Sequence, residues 1–180
     1  MVELHEMSRE GLVASLDAEV HALLREAFPS DEAAAAGDYY LPYGPPATIL
    51  VLSESHPKEQ RVIGHLAAYR REIAIGPDSV EIGMIGGVAI APAHRGKGHV
   101  RALVGRIHVR FGQWALPFSV LFAFEPSVYA SSGYKPMANT TRFRDSDGTW
   151  KTLVHRGGMY AELTERRWPN LPIDLRGPAV

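Results

Sequence analysis

A glycine-rich, positively charged segment lies between a predicted strand and a predicted helix, at residues 88–100 (VAIAPAHRGKGHV). Gly96 and Gly98 would let the backbone approach a ligand closely, because neither residue carries a Cβ atom. Arg95 and Lys97 add positive charge, and the N–H groups at a helix N-terminus favour an anion. The segment suits a pyrophosphate, although it matches neither the Walker pattern nor the dinucleotide-binding fingerprint.

Predicted strands and helices on both sides of this segment would fix its position. The strand before it, at 80–90, contains the pair Gly86 and Gly87, which indicates a bulge or the close approach of another group. A helix is predicted over 100–114, and the apolar run 118–124 predicts a buried central strand. Further strands are predicted at 2–7, 48–52, 61–75, 135–143 and 152–163, and short helices at 31–38 and 126–132. Strands with single helices between them predict one mixed α/β (α+β) domain over 1–180, with 164–180 as an irregular but docked tail.

The composition of the chain excludes several classes of protein. With 180 residues and a formal net charge of −1, it has no basic excess for nucleic-acid binding. It has no cysteine, so disulfides, thiolate metal sites and a cysteine nucleophile are excluded. No apolar run is long enough to span a bilayer, and the N-terminus does not resemble a signal peptide. We therefore expect a cytoplasmic protein with neither membrane nor nucleic acid as a partner.

The order of these motifs resembles the GNAT superfamily of acyltransferases. Its coenzyme A loop reads Gln/Arg-x-x-Gly-x-Gly/Ala; Gly96 and Gly98 match it, whereas Ala93 departs from its first position. In that family a strand follows about thirty residues later, and then a short helix ending in Tyr-x-x-x-Gly-Tyr/Phe. Here the run 118–124 precedes 129–134 (YASSGY), so both order and spacing agree.

The resemblance implies a mostly antiparallel, twisted mixed sheet with helices on both faces, and acetyl-coenzyme A as co-substrate without a metal. The backbone N–H of Val88 would polarise the thioester carbonyl. A homodimer is an assembly common in this family, although no residue of the sequence demonstrates it. The residues expected to bind the cofactor are Val88, Ala89, Ile90, Arg95, Gly96, Lys97, Gly98, His99 and Val100.

Two branches of the family are similar over further segments. The segment 65–71 (HLAAYRR) resembles the aminoglycoside 2′-N-acetyltransferases and the nodulation protein A acyltransferases. The former also share Gly-Val-Ala before the loop and Tyr-Ala-Ser after it. The latter have a tail similar to the pairs at 168–169 (WP), 173–174 (ID) and 177–178 (GP).

Acyl transfer to an amine needs an acid for the leaving thiolate and a base for the ammonium group. Tyr129 matches the family tyrosine that acts as the acid. Three residues are candidates for the base: Glu125, four residues before Tyr129; His65, whose ordinary pKa suits the role; and Glu81. Related aminoglycoside enzymes have a glutamate at the position of Gly86 in this chain. Because that glutamate is missing here, the resemblance does not indicate which of the three residues is the base.

An acidic and aromatic segment could bind the acceptor amine. Asp38 is followed by Tyr39 and Tyr40, and carboxylates with aromatic faces suit a cationic amine or an aminosugar. Glu81 is also a candidate substrate-binding residue. The sequence equally fits a solvated loop with packed tyrosines.

Three functions remain open on these observations. The first is an N-acetyltransferase that moves an acetyl group from acetyl-coenzyme A to a small-molecule primary amine by direct attack in a ternary complex. The second is a long-chain N-acyltransferase that uses acyl carrier protein or acyl-coenzyme A, with an acyl channel opened by Gly83, Gly86 and Gly87. The third is a non-catalytic acyl-coenzyme A-binding module.

Overall fold

The computed structural model describes residues 1–56 and 59–180. The helices are α1 (Ala14–Ala27), α2 (Glu32–Ala36), α3 (His99–Gln113) and α4 (Ser127–Ala130), with a 3₁₀ turn at Pro92–His94. The strands are β1 (Val2–Met7), β2 (Thr48–His56), β3 (Glu59–Ile75), β4 (Asp78–Ile90), β5 (Phe118–Phe122), β6 (Lys135–Pro136), β7 (Thr140–Arg144), β8 (Trp150–Val154), β9 (Gly158–Glu162) and β10 (Ile173–Pro178).

The chain forms two compact units, each discontinuous in sequence. The first unit contains Met1–Tyr69 and Gly87–Leu103, and the second contains Arg70–Gly86 and Val104–Val180. The chain therefore passes from one unit to the other within β3, β4 and α3. That the whole chain acts as one domain stays a prediction.

The first unit is built on an antiparallel sheet. β1 pairs with β2, and β2 pairs with β3, where Val51 lies opposite His65. Helix α1 is tied to β3 because the Glu19 carboxylate accepts a hydrogen bond from the Val62 N–H at 2.7 Å. Helix α2 is capped by Asp31, whose Oδ1 accepts from the Ala34 N–H at 2.8 Å. The segment between α2 and β2 is tied to β3 because the Ala47 N–H donates to the Ala68 carbonyl at 2.8 Å.

The second unit has the strand order β6-β9-β5-β4-β3-β10-β7-β8. β5 and β9, β6 and β9, and β7 and β8 pair antiparallel. β4 pairs parallel with β5, and β10 pairs parallel with β7. The β4–β5 ladder joins Gly83 to Ser119 and Met84 to Val120. The prediction of a mixed, mostly antiparallel sheet is confirmed.

Several predicted boundaries were wrong in the C-terminal third. The single strand expected at 152–163 is two strands, β8 and β9, because the chain turns through Gly157 into Gly158. The strand expected at 135–143 is likewise divided into β6 and β7. The tail, expected to be irregular, contains β10, in which Ile173 and Leu175 are buried while Arg176 is exposed. A strand this short, enclosed by prolines, has too little alternation to be recognised from sequence.

Apolar side chains fill the interior of each unit. The fully buried residues include Ile49, Leu50, Ile63 and Leu66 in the first unit, and Phe111, Phe118 and Met84 in the second. No helix within residues 1–56 and 59–180 is long and apolar enough to cross a membrane. Over the same ranges, no three histidine, aspartate or glutamate side chains are grouped so as to hold a metal ion.

Candidate functional site

The glycine-rich loop is open to solvent in the first unit. The 3₁₀ turn leads into residues 95–98, all of which are exposed, and α3 begins at His99. Gly96 and Gly98 have φ values of +72° and +80°, and no atom lies within 4 Å of where a Cβ would stand on either. The backbone here is therefore unobstructed, which fits a pyrophosphate.

Side chains on both sides of the loop fix its position. The Arg95 Nε donates to the Ile90 carbonyl at 3.0 Å, which ties the loop to the end of β4. The His94 Nε2 lies 3.3 Å from the Glu54 carboxylate on β2. The first N–H groups of α3, beginning with His99, have no acceptor within their own helix. Such groups favour an anion, and the exposed Lys97 adds positive charge beside them.

Gly87, the second glycine of the pair in β4, has a φ of +58°. A Cβ on Gly87 would lie 2.8 Å from the Tyr39 ring and 3.2 Å from the His65 ring, so only glycine fits. Val88 follows and is half-buried, whereas Ala89 and Ile90 are buried. The residue with the positive φ is thus the one immediately before Val88.

His65 is completely buried beside Gly87. Its Nδ1 lies 2.7 Å from the Gly87 carbonyl oxygen, and its Nε2 lies 2.8 Å from the Tyr40 hydroxyl. Burial lowers the pKa of His65 to about 4, although the Gly87 carbonyl opposes that shift. A neutral imidazole with both nitrogens engaged has no free lone pair facing solvent, which argues against His65 as the general base.

The acidic and aromatic segment does not form an exposed pocket. Tyr39 is 4% exposed and Tyr40 is 3% exposed, while Asp38 is exposed. Tyr39 stacks on Phe28 with a centroid distance of 5.6 Å. Burial raises the pKa of Tyr39 well above its ordinary value. The two tyrosines therefore belong to the core of the first unit, where little of their surface is open to a substrate.

Tyr129 lies on α4 in the second unit and is half-buried. Its ring packs edge-on against Tyr134 with a centroid distance of 6.0 Å. Burial raises the pKa of the Tyr129 phenol to about 12, so the group keeps its proton near neutral pH. A proton donor of this kind can serve a leaving group that forms as an anion.

A buried polar cluster supports the Tyr134 ring. The Tyr134 hydroxyl lies 2.5 Å from the Ser119 hydroxyl and 3.1 Å from the His108 Nε2. Sequence reasoning did not single out Ser119 or His108. The signal for Ser119 was a hydroxyl residue inside the otherwise apolar run 118–124. A buried hydroxyl at such a position needs a partner.

The two remaining candidate bases, Glu125 and Glu81, differ in their surroundings. Glu125 is exposed in the short segment between β5 and α4. Glu81 is also exposed, but both of its carboxylate oxygens accept from Arg70, from Nε at 3.1 Å and from a terminal nitrogen at 2.8 Å. That bidentate pair raises the pKa of Arg70. The Glu81 carboxylate is therefore engaged by a cation, and the role of either glutamate as the base stays a prediction.

The three glycines proposed to open an acyl channel border filled space instead. In the second unit the Phe111 ring occupies the space beside Gly83, and Val180 occupies the space beside Gly86. In the first unit Tyr39 occupies the space beside Gly87. The small residues therefore allow these side chains to pack against the strand.

The sequence profile of the acetyltransferase (GNAT) domain matches residues 15–137, which is more than half of the chain. The chain belongs to the GNAT acetyltransferase family. The resemblance seen in the sequence is confirmed, and so is the prediction of an acyltransferase at the level of the family. No curated protein matches this GNAT chain.

Solved structures show the same fold. A GNAT family N-acetyltransferase (YhbS) from Escherichia coli in complex with CoA has a TM-score of 0.69 and 17% identity, over 97% of this chain and 88% of that one. A GNAT family acetyltransferase from Brucella melitensis in complex with acetyl-CoA has a TM-score of 0.62 and 16% identity, over 95% and 94%. A probable N-acyltransferase from Enterococcus faecalis has a TM-score of 0.60 and 18% identity over 76% of this chain, which spans 33% of that protein.

At these identities the neighbours show the fold alone. The similarity to the aminoglycoside and nodulation branches stays a prediction. So do the cytoplasmic location, the homodimer and the role of each site residue.

Proposed function

We propose that this GNAT protein is an N-acetyltransferase that moves an acetyl group from acetyl-coenzyme A to a primary amine of a small molecule. The observation that carries the proposal is the unobstructed backbone at Gly96 and Gly98, directly before the N-terminus of α3. Its geometry suits the pyrophosphate of coenzyme A. The E. coli and Brucella neighbours were solved with CoA and acetyl-CoA, respectively.

The first unit supplies the residues that would hold the co-substrate. The exposed Lys97 gives positive charge beside the phosphates, and the N–H groups at the start of α3, at His99 and Val100, are suited to donate to them. The β4 segment 88–90 would pair with the pantetheine arm. The Val88 N–H would donate to the thioester carbonyl and stabilise the oxyanion that develops there.

Tyr129 is the proposed proton donor, by its match to the family tyrosine. The amine nitrogen attacks the thioester carbon, the carbon–sulfur bond breaks, and the thiolate takes a proton from the Tyr129 phenol. The raised pKa of Tyr129 keeps that proton in place until the thiolate forms. Before the attack, Glu125, exposed ahead of α4, would take one proton from the ammonium group. The second proton, which the nitrogen loses as the amide forms, would restore the Tyr129 phenol.

An acetyl donor is favoured over a long-chain donor. Phe111, Val180 and Tyr39 fill the space beside the three glycines that could have opened an acyl channel. The second candidate, a long-chain N-acyltransferase, has no comparable support.

The binding test compares two glycine variants with the wild type. Gly98→Glu puts a carboxylate into the loop, whereas Gly148→Glu puts one at a hairpin turn whose φ of +82° and open surroundings match those of Gly98. Calorimetry with acetyl-coenzyme A should show binding to the wild type and Gly148→Glu, and at least a tenfold loss in Gly98→Glu, about 1.4 kcal/mol. Equal binding by all three proteins, or by none, would sink the proposal.

The activity test follows thiol release from acetyl-coenzyme A and from dodecanoyl-coenzyme A with a panel of primary amines. We expect amine-dependent release with the acetyl donor. Tyr129→Phe should lose turnover and keep binding, whereas Tyr160→Phe, a half-buried tyrosine stacked on Trp168, should keep both. Binding without turnover on any amine would favour a non-catalytic module, and faster release from the dodecanoyl donor would favour the long-chain reading.

A further inference from the structure

The buried pair Tyr40 and His65 connects the core of the first unit to a single peptide group of β4. The His65 Nδ1 lies 2.7 Å from the Gly87 carbonyl oxygen. That carbonyl and the Val88 N–H belong to the same peptide group, since the bond between Gly87 and Val88 joins them. Whatever holds the carbonyl therefore also holds the N–H.

We propose that Tyr40 and His65 orient and polarise the Gly87–Val88 peptide group, so that the Val88 N–H becomes a better aimed and stronger donor to the thioester carbonyl. This inference rests on the proposed function, because it needs acetyl-coenzyme A at Val88. It makes His65 a positioning residue rather than the base.

The geometry of the peptide group carries the orienting step. A trans peptide is planar, and its C=O and N–H point in opposite directions. With the carbonyl fixed towards the buried His65, the N–H must point to the other side of the strand. Gly87 has a φ of +58°, which glycine adopts readily, and the Tyr39 and His65 rings exclude any larger residue there.

The hydrogen-bonding pattern fixes which nitrogen of His65 carries the proton. A carbonyl oxygen can only accept, so Nδ1 must donate to Gly87. In the neutral ring Nε2 then has the lone pair, and the Tyr40 hydroxyl donates to it at 2.8 Å. Complete burial, which lowers the pKa of His65 to about 4, keeps the ring neutral under working conditions.

The polarising step follows from this chain of donors. The Tyr40 O–H draws electron density from His65, and the His65 N–H draws it from the Gly87 carbonyl. Consecutive hydrogen bonds strengthen one another in a low-dielectric interior. The Val88 N–H at the end of the chain becomes more positive, and a preorganised N–H donor is worth most where negative charge develops.

The test reads the bound thioester directly. Infrared difference spectra of acetyl-coenzyme A labelled with ¹³C at the acetyl carbonyl report hydrogen bonding as a lowered carbonyl frequency. The wild type should show this shift on binding. His65→Leu, which has no donor, should lose most of it, whereas His65→Asn should keep it because its amide nitrogen can replace Nδ1. kcat should fall about tenfold in His65→Leu and recover in His65→Asn.

Two further variants separate this role from packing. Leu66→Ala removes a fully buried side chain from the next position of β3, on the opposite face, and should leave the band unchanged. Tyr40→Phe keeps the ring and removes the hydroxyl, so it should fold and lose part of the shift even if His65→Leu does not fold.

Affinities give an independent readout. CoA lacks the thioester carbonyl, so His65→Leu should reduce the preference for acetyl-coenzyme A over CoA without weakening CoA itself. An unchanged band and preference in folded His65→Leu and Tyr40→Phe would overturn the inference and leave the proposed function intact. If the carbonyl frequency of acetyl-coenzyme A is the same free and bound to the wild type, both this inference and the proposed function are overturned.

Discussion

Trp168 donates from its indole nitrogen to the Oδ1 atom of Asn139 at 2.8 Å. The Nδ2 group of Asn139 donates to the carbonyls of Pro169, at 2.9 Å, and Leu171, at 2.7 Å. Asn139 is only 5% exposed. One buried amide in the second unit therefore holds the segment that leads into β10, and the expectation of a docked tail has a specific physical cause.

Replacing Asn139 with alanine should lower the free energy of unfolding by about 2–3 kcal/mol. The variant leaves the indole N–H and two carbonyls without their partner, and buried unsatisfied groups are costly. Urea titration measures the change. Asn170→Ala, an exposed asparagine of the same segment, should stay within about 0.5 kcal/mol of the wild type. Equal effects of the two substitutions would contradict the role assigned to Asn139.

Two glycine-to-alanine changes in the second unit should change the free energy of unfolding in opposite directions. Gly83→Ala places a methyl group against the Phe111 ring and should destabilise the protein by about 1–3 kcal/mol. Gly105→Ala lies on the exposed surface of α3, where a Cβ meets nothing within 4 Å, and should stabilise it by about 0.5–1 kcal/mol. Thermal unfolding of both variants checks the prediction. A stable Gly83→Ala would show that Phe111 can move away, and the acyl-channel hypothesis would return.

The sequence predicted the features whose signals are local. The strand, loop and helix around Gly96 and Gly98 follow from residue types within thirteen consecutive positions. The paired glycines of β4 predicted a bulge, and the positive φ at Gly87 agrees with it.

The partners of those features lie far away in sequence and were not predictable. His65 meets Gly87 because β3 and β4 are neighbours in the sheet, and Tyr40 meets His65 from the segment between α2 and β2. Neither residue type indicates its partner. Tyr39 and Tyr40 were expected to face an acceptor, since their acidic neighbours indicate a surface segment. They are buried because the chain after α2 turns inwards, and only tertiary packing determines that direction.

The rate of acetyl transfer should not fall as the pH is raised from 7 to about 10. Burial raises the pKa of Tyr129 to about 12, so the proposed acid stays protonated over this range. Measuring kcat at saturating amine separates the ionisation of enzyme groups from the ionisation of the free amine. Tyr129→Phe should lower kcat by about 100-fold at every pH. A wild-type profile that descends with a midpoint below pH 9 would rule out a phenol with this pKa as the acid.

His108 should make the protein less stable in acid. Burial lowers its pKa to about 4 from an ordinary value of 6.5, so the folded state binds fewer protons than the unfolded state between these values. The resulting stability is present above pH 6.5 and is lost as the pH falls towards 4. His108→Gln can keep a polar atom near the Tyr134 hydroxyl and cannot gain the charge. Urea titrations at pH 7 and pH 4.5 measure how much unfolding free energy each protein loses on acidification. This loss should be smaller in His108→Gln than in the wild type, by about 2 kcal/mol. The same loss in both proteins would mean that His108 is hydrated or charged in the folded state, and that the cluster beneath Tyr134 is open to water.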